Sequence, residues 1–279
     1  MRSAMAAIFR LPFDHRKAIA FLSKTDRRLA RLIERSSEFR LEIEESQTPY
    51  ESLLEAVTYQ SISGKAAATI FGRIKALGAN GRCPRPEEIL RLRAQALRKA
   101  GLSRAKIAAV KDLARKTIDG IVPTAADAQK MSDQELVERL ISVRGVGAWT
   151  VEMFLIFRLG RPDVLPIHDY GVQKGFTLTY RRKKIPKPSE LAKFGERWRP
   201  YRTVASWYMW RAIELAGKHA RTITKKRIVA KQHTVKQTSA GRRQAKGTPT
   251  RAERTQAAPG TVRRASSPRF ALDGQEERH

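Results

Sequence analysis

Between residues 14 and 218 apolar positions recur at spacings of three and four, as in Ile19, Leu22, Leu29, Leu32 and Ile33, and again in Ile107, Val110 and Leu113. That is the period of helices that bury one face. Thr48-Pro49-Tyr50-Glu51 offers a capping oxygen, a proline suited to the first turn and an acid three residues on, and Ser132-Asp133-Gln134-Glu135 repeats the capping-box pattern. The pattern predicts helices near 49–61, 63–77, 86–91, 94–99 and 103–118, separated by turns such as GANGRCPRP and DGIVPT. Only RLEIEE, at 40–45, alternates, and a lone strand is a poor element. The predicted class is all-α, with short helices and tight turns.

The pattern stops near Gly217. Residues 219–279 show no sustained apolar periodicity, are rich in Ser, Thr, Gly and Pro, and carry 15 Lys or Arg against 4 acids. Such a segment cannot bury enough surface to fold alone and is predicted to be a disordered basic tail. The expected organisation is a lead segment, 1–13, a folded core, 14–218, and the tail, 219–279. Composition then adds a partner. The whole chain carries a formal charge of +29, of which the tail supplies +11 and the rest +18, so both parts can meet a polyanion. Nucleic acid is the first candidate and an anionic membrane surface the second. No apolar run approaches the roughly 20 residues needed to span a bilayer, and MRSAMAAIFRLPFDH breaks into Arg, Pro and Asp before an export-type core develops. The chain reads as a soluble intracellular monomer with no membrane partner, of the bacterial cytoplasm and nucleoid, or of the nucleus in a eukaryote. Its single cysteine, Cys83, excludes an internal disulfide and a multi-cysteine metal site, and in the loop CPRP it reads as incidental.

Candidate chemistry concentrates in residues 133–179. Leu140 and Val143, then Gly145-Val146-Gly147, follow one helix and open another near Ala148, the layout of a helix-hairpin-helix. Glycines here permit positive φ and bare the backbone, so that consecutive N–H groups and the following helix terminus can face a phosphate oxygen. Such contacts position a protein on DNA without reading sequence. A Gly-x-Gly alone also makes an ordinary interhelical turn. Trp149 stands just inside the new helix, where an indole face can stack on an extruded base; a cationic alkylated base would add about 0.5 to 2 kcal/mol of cation–π attraction. Met153, Phe154 and Phe157 follow at helical spacing, and for the two phenylalanines a core stripe is the plainer reading. Asp163 and Asp169 flank a short apolar loop that leads into a further helix, which Asp169 can cap with one oxygen while the other faces a substrate. His168, beside it, reads as structural.

Taken together, AIAFLSKTDRRLARLIE, YQSISGKAAATIFGRI, GLSRAKIAAVKDLA, VRGVGAWTVEMFLIFRLGRPDVLP, DYGVQKG and WRPYRTVASWYMWRA resemble the helix-hairpin-helix DNA glycosylases, and within them the compact 3-methyladenine DNA glycosylases. The resemblance covers roughly residues 15–217. It implies a compact helical glycosylase fold and a monofunctional enzyme without cofactor that flips alkylated bases, 3-methyladenine and 7-methylguanine, out of double-stranded DNA and hydrolyses them off, initiating base excision repair. By the same resemblance Asp169 is the catalytic carboxylate, and Trp149, Met153, Tyr170 and Trp210 line the base pocket. Gln60, Ser61, Ser63, Arg144, Gly145, Val146, Gly147 and Lys174 are the implied DNA contacts. No metal is required, although the hairpin of such proteins can hold a monovalent cation on main-chain oxygens, here those of Ile141, Val143 and Val146.

The departures are informative. Trp149 stands where backbone-cutting relatives carry a Schiff-base lysine, so lyase activity is expected to be absent. No four-cysteine cluster follows the catalytic region, so neither is an iron–sulfur cluster expected. The chain resembles the compact form, and the β-rich N-terminal domain of larger relatives is not expected. Ser61 follows Gln60 where relatives often read Gln-Gln, which puts a small side chain at the position expected to plug the gap left by a flipped base. Met153 replaces a pocket tyrosine of one relative. Extrusion costs a few kcal/mol, less at a damaged pair. A base alkylated on a ring nitrogen is already a good leaving group, so one carboxylate suffices to stabilise the oxocarbenium-like sugar and then orient or deprotonate water. Two alternatives stay open from sequence: a non-catalytic DNA-binding protein built on the hairpin and tail, and a glycosylase for a deaminated or oxidised base.

Overall fold

The structure, a computed structural model, describes residues 11–43 and 47–217. The tail at 219–279, nearly all of the lead segment and the end of RLEIEE lie outside the described residues. Side-chain oxygens start most of the helices. Asp14 accepts from the N–H groups of Arg16 (2.9 Å) and Lys17 (3.2 Å) and opens α1, His15–Thr25. Asp26 ends α1 and opens α2, Arg27–Arg35. Thr48 and Glu51 form a reciprocal capping box at α3, Pro49–Tyr59, and Ser63 caps α4, Gly64–Lys75. After α5, Pro86–Arg91, and α6, Ala94–Ala100, Ser103 caps α7, Arg104–Ile118. Thr124 and Ser132 cap α8, Ala125–Lys130, and α9, Asp133–Leu140. The rest are α10, Ala148–Phe157, α11, Tyr170–Thr179, α12, Pro188–Gly195, and α13, over 202–217. Each such cap is worth about 1 kcal/mol.

The expected helices match α3 to α7 to within two residues at either end. α3 stops at Tyr59, two residues short of expectation, because the chain turns through φ +55° at Ser61. The alternation in RLEIEE is real in burial but makes no strand. Phe39, Leu41 and Ile43 are buried while Arg40 and Glu42 are exposed, and Trp207 Nε1 donates to the Arg40 carbonyl at 3.1 Å. Among the described residues there is no strand, and no helix is long and apolar enough to cross a membrane.

α3 packs against α4, α7 and α10, α7 also against α5 and α6, and α10 also against α9. α1 pairs with α2, and α2 meets α11. There Phe176, Tyr180, Phe194 and Trp198 form an aromatic cluster around Asp26, which is only 6% exposed. The Asp26 carboxylate takes four donors: the N–H groups of Arg28 and Leu29, the Tyr180 hydroxyl and Trp198 Nε1. Its burial is therefore compensated. α11 and α13 approach at backbone distance, since a Cβ on Gly175 would stand 1.9 Å from the Met209 carbonyl oxygen. Only glycine fits. That approach brings Trp210, the next residue on α13, beside the start of α11.

Candidate active site

Asp169 reaches its place through a pinned loop. Asp163 makes two bonds to the Arg202 guanidinium, at 2.8 and 3.0 Å, and one to Arg199 at 2.8 Å. The Val164 N–H donates to Thr203 Oγ1 at 3.0 Å, and Gln173 Nε2 holds the Ile167 carbonyl at 2.7 Å. The first of the two acids around the loop is thus an anchor onto α13. Asp169 is the N-cap of α11 and accepts from the Val172 N–H at 2.7 Å through Oδ1.

Two indoles complete its surroundings. Trp210 Nε1 donates to Oδ1 and Trp149 Nε1 to Oδ2, each at 2.8 Å. An N–H can only face an acceptor lone pair, so three such donors and a helix N-terminus suit the anionic carboxylate. Phe157 stacks on Trp210 with ring centres 5.7 Å apart and fixes that indole from the other side. A Cβ on Gly171 would fall 2.7 Å from the Trp210 ring and 2.9 Å from Asp169 Oδ1. Gly171→Ala is therefore expected to push Trp210 off the carboxylate. Losing one hydrogen bond to a charged group is worth about 1.5–3 kcal/mol, so any reaction that leans on this carboxylate should slow roughly tenfold or more in a single turnover. An unchanged rate would show that the Trp210 bond does not matter to the chemistry.

A cleft of about 380 Å³ opens between α3 and α10, lined by Tyr59, Gln60 and Ser61 on one side and Trp149, Met153 and Phe157 on the other. Its volume is in the range of small-ligand sites. Trp149 belongs to both features: its ring borders the cleft while its N–H holds Asp169. Arg158 and Glu55 pair at 3.5 Å along the same cleft. One turn along α10 from Trp149, Glu152 Oε2 is buried without a hydrogen-bond partner. Burial, and secondly the negative charge of Asp169, push the Glu152 carboxyl up to about 7.

The hairpin runs from α9 through Ile141–Gly147 into α10. Gly145 has φ +79°, as expected, and its N–H-rich turn is closed by the Val146 N–H bonding the Val143 carbonyl at 3.0 Å. Gly147 differs from expectation. Its φ of −96° is open to any residue, and a Cβ there would meet nothing within 4 Å. No side chain caps the start of α10, so its first N–H groups have no partner within the helix. The main-chain oxygens of Ile141, Val143 and Val146 are of the right chemistry for a monovalent cation. Lys116 already brings one positive charge to the turn, bonding the Ser142 carbonyl.

The remaining candidates fall as follows. Gln60 is half-buried and donates to the Gly145 carbonyl at 2.8 Å, joining the turn after α3 to the hairpin; Ser61 is exposed. Ser63 is exposed as the cap of α4, Arg144 is exposed, and Lys174 is half-buried on α11. Of the four residues expected to line the base pocket, Trp149 and Met153 line the cleft; Tyr170, 52% exposed at the first position of α11, and Trp210, buried behind Asp169, do not. His168 is exposed. Burial raises the Cys83 thiol to about 12, which leaves it protonated and unfit as a nucleophile. Among the described residues no three His, Cys, Asp or Glu side chains gather where they could hold a metal ion. Sequence reasoning missed Gly171, Glu152 and the second role of Phe157. For Glu152 a signal existed, as the only charged residue in AWTVEMFLIF.

Residues 54–200 match the model of the HhH-GPD superfamily of base excision DNA repair proteins. The chain is 40% identical over 201 residues to DNA-3-methyladenine glycosylase 1 of Schizosaccharomyces pombe, covering 72% of this chain and 88% of that one. A solved structure of the 3-methyladenine DNA glycosylase of that yeast, in complex with abasic DNA, superposes with a TM-score of 0.63 over 70% of this chain and 95% of its own. The DNA-3-methyladenine glycosidase of Bacillus halodurans, 33% identical, gives 0.64 over 73% and 91%. The chain therefore belongs to the HhH-GPD superfamily of base excision DNA repair proteins, and within it to the family of the 3-methyladenine DNA glycosylases.

Proposed function

We propose that the protein flips alkylated bases out of double-stranded DNA and hydrolyses their glycosidic bonds, with Asp169 as the catalytic carboxylate and no strand cleavage. The observation that carries this reading is the lone-pair arithmetic of Asp169. A carboxylate has about four acceptor sites. Oδ1 receives two donors and Oδ2 one, so the vacancy is on Oδ2, the oxygen held by the tryptophan that also borders the cleft. One side chain thus sets both the base slot and the reactive oxygen.

In that arrangement a flipped purine enters the cleft against the Trp149 ring, and C1′ of its sugar lies toward Oδ2. As the bond to a cationic base breaks, positive charge moves onto the sugar, and a preorganised anion in a site of low polarity stabilises it. The leaving base departs neutral without needing a proton. Oδ2 then orients the attacking water and takes its proton. Trp149 offers no amine, and its N–H is already engaged, so no Schiff base forms at that position. The N–H groups at the start of α10, which no side chain caps, grip the phosphates on either side together with Arg144 and the surrounding positive charge. One copy supplies every group named, so a monomer is the expected working form. A DNA substrate places it with the genome, in a nucleoid or nucleus.

The test is a panel of duplexes carrying single lesions under single-turnover conditions. Release of 7-methylguanine well above that of hypoxanthine or 8-oxoguanine is the expected result. Efficient release of a neutral oxidised or deaminated base, with 7-methylguanine untouched, would overturn the substrate class. Tight binding with no release from any duplex would leave only a DNA-binding module.

A further inference from the structure

The GLSRAKIAAVKDLA stretch carries part of the family resemblance, yet none of its residues enters the site described above. In the fold it becomes α7, one face of which touches both turns assigned to DNA. Lys106, Ala109, Asp112 and Lys116 recur at spacings of three, three and four, so they form one stripe, about 15 Å long at 1.5 Å per residue. At one end Lys106 Nζ donates to the carbonyls of Thr58 (2.8 Å) and Gln60 (2.6 Å), at the end of α3. Further along, Ala109 Cβ lies 3.2 Å from where a side chain on Gly145 would begin. Asp112 Oδ2 accepts the Arg144 N–H at 2.8 Å. Lys116 donates to the Ser142 carbonyl and pairs with Asp112 at 3.5 Å. Gln60 Nε2 closes the frame on the Gly145 carbonyl.

We propose that α7 is the brace that fixes the gap-filling turn at Gln60–Ser61 relative to the phosphate-gripping hairpin, with Lys106 as the positioning residue that holds the plug in place. This rests on the reading that the protein flips bases. It also accounts for the small side chain at position 61. A bulky wedge fills a base-pair gap by its own volume, whereas Ser61 cannot. Its turn has to enter as backbone, in a conformation with φ +55° that a serine adopts only when its surroundings enforce it. Lys106 enforces it by holding the Gln60 carbonyl, just before Ser61, together with the Thr58 carbonyl in the last turn of α3, while the Gln60 side chain ties the same turn to the hairpin. Grip on the phosphates is thereby transmitted to the plug through a rigid helix, and the plug keeps the base from restacking.

The experiment compares one lesion in two settings, paired with its normal partner and placed in a mismatch that leaves it unpaired, at saturating enzyme. Plugging matters only where the stack must be held open. Lys106→Met is expected to slow release of the paired lesion by about tenfold or more and of the unpaired one by less than about threefold. Lys106→Arg, which keeps charged donors, should recover most of the paired rate. Lys106→Gln is measured beside them as the milder change, with the same sign at smaller size, in case the Met variant folds poorly. Equal slowing of both substrates would make Lys106 a structural cap of α3 and overturn the proposal, as would no slowing of either. If the unaltered protein releases no base from either substrate, the base-flipping reading falls and the brace with it. If it is active and the ratio is unmoved by Lys106 variants, only the brace falls.

Discussion

Asp169→Asn is expected to lower the single-turnover rate of base release by about a thousandfold, with duplex affinity changed less than about threefold. The loss has two sources. The variant removes the anion that faces the developing sugar cation, an electrostatic contribution usually worth a hundred- to a thousandfold. It also replaces an all-acceptor group by an amide with one oxygen and one NH2. Whichever way that amide turns, its NH2 faces either the Trp149 N–H or the pair of donors from Trp210 and Val172, so a donor meets a donor. Pre-steady-state release measured at saturating enzyme separates this from binding. A variant retaining a tenth of the rate would remove Asp169 from the chemistry.

The second large effect is on stability. Glu152 is half-buried, its Oε2 is shut off from solvent without a hydrogen-bond partner, and its carboxyl is raised from 4.5 to about 7 by burial first and by the Asp169 charge second. A group whose folded-state value is raised stabilises the fold in its protonated form. That contribution is complete below about 4.5 and is lost as pH rises through about 7. At roughly 1.4 kcal/mol per unit the loss by pH 8 is on the order of 3 kcal/mol. Wild type should therefore melt lower at pH 8 than at pH 5 by several degrees more than Glu152→Gln, which cannot ionise and keeps the shape. Every other ionisable group is common to both proteins, so the difference isolates Glu152. Parallel Tm curves for the two would mean that Glu152 ionises as freely as a surface acid.

What could be read from sequence follows the range of the interactions. Helix starts were legible because capping is local: Thr48 to Glu51 contains the whole device, and so does Ser132 to Glu135. The hairpin was legible for the same reason, although only Gly145 needs its glycine for conformation, Gly147 having a backbone that any residue adopts. The proposed catalytic constellation is not local. Nothing near Asp169 points to Trp210, 41 residues on; only the family resemblance joined them, and the carboxylate between two indoles emerged from the folded chain. Gly171 and Gly175 read as ordinary glycines of a helix, since the α13 backbone and Trp210 that forbid a side chain are supplied by a distant segment. Lys106 hides in a basic sequence where one more lysine looks solvated. RLEIEE shows the opposite failure, with alternation produced by one buried side of an irregular segment rather than by a ladder.

The most direct measurement is free-base release from methylated duplex DNA, with strand integrity scored in the same reaction. The account predicts 3-methyladenine free in solution, an intact strand bearing an abasic site, and no adduct trapped by borohydride. Methylated bases that all stay in the duplex at saturating enzyme, or a nicked strand with a trapped lysine adduct, would contradict it.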